Sequence, residues 1–157
     1  MVHILYGGLK GVTTMRESLY RAKPKNSRYG DFVYGNYLTA VTKKGEKSHY
    51  IKRIEDGLLN PIEIEPETLG EETGLLDCNG ELIFEGDIGK FKQTDGAKRN
   101  NKSIVCIGKV IYNAKTASFA VESKDEKDVK YFDYFPINDF EVIGNTTYNK
   151  ELLKNCS

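Results

Sequence analysis

Tryptophan is absent from this 157-residue chain, histidine occurs twice, proline four times and cysteine three times. The two histidines, His3 and His49, stand far apart and have no partner pattern, so imidazole-based metal binding or general-base chemistry has no foothold. Cys78, Cys106 and Cys156 are odd in number and lack CxxC spacing. That excludes a disulfide framework or a cysteine zinc site and fits reduced thiols in the cytoplasm. No apolar run approaches the ~18 residues needed to cross a bilayer, and the start lacks the cationic and apolar regions of a secretory signal. Phosphate-cradling glycine loops and nucleophile motifs are missing as well. The expectation is a chain with no catalytic residue, no cofactor and no metal, acting away from membranes.

What is present is β-forming. Phe32–Val41 is rich in aromatic and β-branched residues, and a Lys43-Lys-Gly-Glu46 turn leads into Ser48–Ile51, which predicts a hairpin. Pro61 and Pro66 bracket Ile62-Glu-Ile64 and confine it to an edge or short bridge. Asn79-Gly80, between Thr73–Leu76 and Glu81–Phe84, predicts a second hairpin with a type I′ turn, in which both central residues take positive φ. Further strands are expected at 88–92, 104–112, 118–122, 129–134 and 141–143. The insert at 93–103 is expected to be a mobile loop. Met15–Ala22 reads either as a helix capped by Thr13 or Thr14 or as a strand. Asn149–Cys156 reads as a short helix capped by Asn149. Short strands without long helices indicate a small barrel or sandwich. Residues 1–14, interrupted by Gly7-Gly8 and Gly11, are expected to be a flexible or non-native leader before a natural start at Met15. The alternative is that Val2–Tyr6 adds an edge strand.

The net charge is zero, yet its distribution is uneven. Residues 1–53 hold 11 Lys/Arg and 3 Asp/Glu (+8), and residues 54–87 hold 11 Asp/Glu and no Lys/Arg (−11). Residues 88–157 hold 12 basic and 9 acidic side chains (+3). The pattern predicts electrostatic docking of the acidic middle, on its own flanks or on another copy. A second basic cluster comprises Lys90, Lys92, Lys98, Arg99, Lys102 and Lys109, which marks a candidate nucleic-acid-binding surface. Phe91, between two of these lysines, is expected in the core.

The stretch Ile64-Glu-Pro-Glu-Thr-Leu-Gly70, Thr73-Gly-Leu-Leu-Asp-Cys-Asn-Gly80 and Ile83-Phe-Glu-Gly-Asp-Ile88 resembles the signature block of the YopX-like family. Met15-Arg-Glu17 with Arg21, Gly30–Gly35, Gly108-Lys-Val110, Phe119, Glu141–Asn145 and Tyr148–Leu153 resemble other parts of it in the right order. Glu71-Glu72 departs from the family's usual uncharged polar residue followed by an aromatic one. The resemblance implies a small phage or prophage protein, mostly β, with an SH3-like barrel in the C-terminal half and no established activity. The organisation expected is a leader (1–14), an N-terminal β-rich part (15–75) and a barrel part with a short C-terminal helix (76–157). Gly70, Gly74, Asn79, Gly80, Gly86 and Asp87 read as structural signature positions. Glycines serve bends and bulges, and Asp87 accepts backbone N–H groups in a tight turn. Metal ligation or acid–base work by Glu85 and Asp87 is the rival reading. The function expected is binding: self-assembly as a homo-oligomer first, nucleic acid second, a phage or host protein being the remaining class of partner.

Overall fold

The computed structural model describes residues 18–53, 60–94, 103–123, 129–132 and 137–154. The mostly-β expectation holds. Among the described residues, eleven strands form a six-stranded sheet in the order β4-β3-β2-β1-β5-β6 and a five-stranded sheet in the order β10-β9-β8-β7-β11.

The first sheet contains β1 (Tyr20–Ala22), β2 (Val33–Val41), β3 (Lys47–Lys52), β4 (Ile62–Glu63), β5 (Gly70–Leu76) and β6 (Leu82–Phe84). Its pairings are antiparallel, and Tyr20–Ala22 is strand, resolving the ambiguity between helix and strand there. Pro61 and Pro66 flank β4 at the sheet edge, where a missing amide donor does least harm. Alternation along these strands buries Ala22, Val33, Ile51 and Ile62, which with Ile64 make one core.

The second sheet comprises β7 (Asp87–Thr94), β8 (Ser103–Asn113), β9 (Ser118–Ser123), β10 (Val129–Tyr131) and β11 (Glu141–Asn145). Four strands form a meander, and β11 returns beside β7. Among the described residues β10 and β11 do not pair, so the sheet is a half-barrel rather than a closed ring. Phe91, Val110 and Val121 alternate onto the inner face and join Ile83 and Phe140 in a second core. A Cβ at Gly89 would lie 2.0 Å from the Phe140 ring, so only glycine lets this aromatic lie on the strand.

The hairpin β5–β6 belongs to the first sheet by hydrogen bonding, but its Ile83 and Leu75 pack into the second core. The passage between sheets therefore falls at the Glu85-Gly86 turn, and residues 75/76 lie inside a hairpin. Gly70 opens β5, Gly74 (φ +80°) lies where the β5–β6 register shifts, and Gly86 (φ +84°) occupies the β6–β7 turn. At the C-terminus, Lys150–Leu153 form a single 3-10 turn rather than a two-turn helix. Asn149 occupies the N-cap position as expected, and its carbonyl accepts the Leu152 N–H at 3.0 Å, but its side chain makes no capping bond, because Oδ1 accepts the Asn145 backbone N–H at 3.2 Å.

The Asn79-Gly80 turn differs from the expected type I′. Gly80 has φ +81°, but Asn79 does not share the positive φ. Gly80 N–H donates to Asp77 O at 3.0 Å and Asp77 N–H donates to Glu81 O at 2.8 Å, which is a three-residue loop closed by a left-handed glycine. The β2–β3 loop repeats this: Gly45 N–H to Thr42 O and Thr42 N–H to Glu46 O, both 2.9 Å, with Gly45 at φ +83°. In both, the first side chain accepts the N–H four residues on, through Thr42 Oγ1 at 3.2 Å and Asp77 Oδ1 at 3.0 Å. Asp/Thr-x-x-Gly-Glu is the shared signal, and it outranks the Asn-Gly pair because the acceptor side chain favours the longer loop. Residues 1–17, including the expected leader, lie outside the described residues.

Candidate functional site

Two features stand out: a hairpin that leaves the body of the protein, and a cleft where the two sheets meet. The hairpin is built by β2 and β3. β1 pairs with β2 only at Val33–Gly35, and β4 pairs with β3 only at Tyr50–Ile51. From Leu38 to Val41 and at Lys47-Ser48 the two strands, among the described residues, pair only with each other, and His49 O already accepts the Ile64 N–H at 3.0 Å. This is a two-stranded arm. Leu38 stands across from Tyr50 on one face, and Val41 across from Lys47 on the other. Leu38 is 42% and Val41 66% exposed, large apolar side chains given to solvent on an element that has few neighbours to hold it. At the arm's root, Tyr37 and His49 stack and share a 2.5 Å hydrogen bond between the hydroxyl and Nδ1. Lys43 and Lys44 occupy the loop at the tip.

The cleft lies between β1 (Arg21), the 3-10 turn Pro66–Thr68, the Glu85-Gly86 turn, β8 and Thr146-Thr147, and encloses about 170 Å³. Behind it, Arg21 of the first sheet forms a buried ion pair with Asp87 of the second. The second Asp87 oxygen accepts the Phe84 N–H at 2.8 Å, the turn chemistry expected of the Glu85-Gly-Asp87 step. The Arg21 guanidinium lies over the Phe32 and Phe84 rings at 4.8 and 4.7 Å. Burial pushes the Asp87 carboxyl above its ordinary value, although Arg21 and the Phe84 N–H pull the other way. Burial likewise raises the Tyr34 phenol, opposed by Arg21.

Of the charged residues lining the cleft, Arg21 is paired with Asp87 and Lys109 with Glu122 at 3.5 Å. Glu67 and Glu85 make no ion pair among the described residues. Among the described residues, Glu85 Oε1 accepts the Tyr112 N–H, at 3.3 Å. Two cations and two carboxylates thus line the cleft, and the balance is acidic once the partners Asp87 and Glu122 are counted. Elsewhere the acidic middle docks partly on its own flank: Lys23 meets Glu65 at 2.9 Å and Lys25 meets Glu63 at 2.6 Å.

The basic cluster is less coherent than its sequence. Lys90 and Lys92 share one strand face, with Phe91 buried on the other as expected. Lys90, however, pairs with Glu141 at 2.6 Å and Lys109 with Glu122, so two of the cations are already neutralised. Lys98, Arg99 and Lys102 lie outside the described residues. No group of three or more His, Cys, Asp or Glu side chains suited to a metal occurs among the described residues. No helix among them is long and apolar enough to cross a membrane.

Sequence reasoning missed Arg21. Its signal was its own position, a cation between the apolar Tyr20 and Ala22 in a stretch that alternates as a strand.

The family model described as YopX protein matches residues 19–154. The chain belongs to the YopX family. That range takes in both sheets, the arm and the cleft. Among solved structures, the YopX chain is similar to the crystal structure of protein EF1440 from Enterococcus faecalis, with 22% identity and a TM-score of 0.47. That likeness covers 87% of this chain and 98% of the other. No curated protein matches.

Proposed function

We propose that this YopX protein is a phage- or prophage-encoded, cytoplasmic accessory protein that acts by binding rather than catalysis, and that it self-assembles through the β2–β3 arm. The observation that carries the reading is the arm itself. Leu38 and Val41 are exposed on the outer part of the hairpin, where, among the described residues, β2 and β3 pair only with each other. An isolated two-stranded ribbon is marginal in water, and covering these side chains against another surface removes that cost. The cationic tip, Lys43 and Lys44, gives such docking an electrostatic direction. Nucleic-acid binding through residues 90–109 draws less support, because Glu141 and Glu122 hold Lys90 and Lys109.

Light scattering across protein concentration at low and high salt, with mixed-sequence duplex DNA titrated in parallel, tests the reading. It predicts an oligomer whose mass falls on dilution and with salt, and no DNA binding with a steep salt slope. A monomer that binds DNA would overturn it.

A further inference from the structure

We infer that the acceptor for the arm is the cleft between the sheets of a second copy, where Glu67 and Glu85 receive a lysine from the arm's tip. The inference rests on the reading of the arm as the assembly element and adds where it docks. None of the arm's residues lines the cleft, so within one chain the two features are separate. Their charges are complementary. The tip presents Lys43 and Lys44 from the loop between Thr42 and Glu46. The cleft retains Glu67 and Glu85, since its own cations are committed to Asp87 and Glu122. The cleft is open to solvent on one side, and its roughly 170 Å³ is room enough for a lysine side chain to enter. The Thr146 hydroxyl on the wall supplies a neutral acceptor for an ammonium. Because arm and cleft are different patches, the contact is made either twice, by reciprocal exchange of arms about a two-fold axis, or head-to-tail in a ring or open filament.

Sedimentation equilibrium of four proteins tests this. They are wild type, an arm reversal (Lys43→Glu with Lys44→Glu), a cleft reversal (Glu67→Lys with Glu85→Gln) and the chain carrying both reversals. Each reversal alone is expected to raise the dissociation constant at least ten-fold, and the combined chain to recover most of the loss. If the arm reversal dissociates the oligomer and the cleft reversal does not, the cleft assignment is overturned while the arm reading stands. Failure of the combined chain to recover also overturns it. A wild type that is monomeric throughout overturns both. If the cleft reversal melts early, Glu67→Gln alone replaces it, with at least a three-fold weakening expected and an unchanged constant overturning the assignment.

Discussion

Replacing Asp87 with Ala removes the carboxylate that pairs with Arg21 in the interior. Asp87 is 1% exposed and Arg21 8%. The variant leaves a buried guanidinium without its counter-charge and the Phe84 N–H without its acceptor. Breaking a buried pair from one side costs about 3–5 kcal/mol, a large share of the roughly 5–15 kcal/mol that holds a domain folded. At about 2–4 °C per kcal/mol for a chain of this size, the melting temperature should fall by roughly 10 °C. The cation–aromatic contacts with Phe32 and Phe84 soften the loss without supplying a negative charge. Urea and thermal unfolding of Asp87→Ala, Arg21→Met and the double variant complete the cycle. The double variant should recover much of the stability, since an apolar replacement of both partners leaves no orphaned charge. A loss under about 1 kcal/mol for Asp87→Ala would refute the assignment of this pair as the electrostatic tie between the sheets.

Other expectations follow from single contacts. Gly80→Val should destabilise by about 1–3 kcal/mol in urea unfolding, and wholly through backbone strain, because a Cβ at φ +81° meets nothing within 4 Å. Asp77 is nearly buried, and burial alone would raise its carboxyl, but N–H donors from Glu81, Val142 and Asn79 outweigh that and hold it below its ordinary 3.8. Its stabilising effect is therefore complete above pH 3.8 and fades as pH falls through the folded-state value. Asp77→Asn should cost about 1–3 kcal/mol at neutral pH and progressively less in acid, read from urea midpoints against pH. Lys90→Ala should shift stability by no more than about 1 kcal/mol in thermal melts, the range of an exposed pair.

Most of the β architecture was legible because alternation and turn residues act locally. The hairpins at 33–52 and 70–84 and the edge placement of Ile62 follow from period-two burial and from proline. Turn type was less legible: Asn-Gly suggested two residues, while the acceptor side chain of Asp77 and the left-handed Gly80 select three. The same logic extends to Thr42 and Gly45. That one hairpin serves two cores was hidden for a physical reason. A hairpin can hydrogen-bond in one sheet and bury Ile83 in the core of another, and hydrophobicity alone does not say which core a side chain enters. The basic cluster looked continuous because Glu122 and Glu141 are distant in sequence and arrive only through the ladder with β9 and β11. Arg21 and Asp87 are 66 residues apart, and only the packed sheets bring them together.

Sedimentation velocity of the wild type beside the variant Leu38→Ser with Val41→Ser tests self-assembly through the arm most directly. Both positions are exposed, so the variant should keep its melting temperature within a few degrees. The account predicts a wild type heavier than the 17.7 kDa chain and a variant that sediments as the monomer. A wild type that sediments as a single 17.7 kDa species at every concentration, or a variant that assembles as the wild type does, would contradict it.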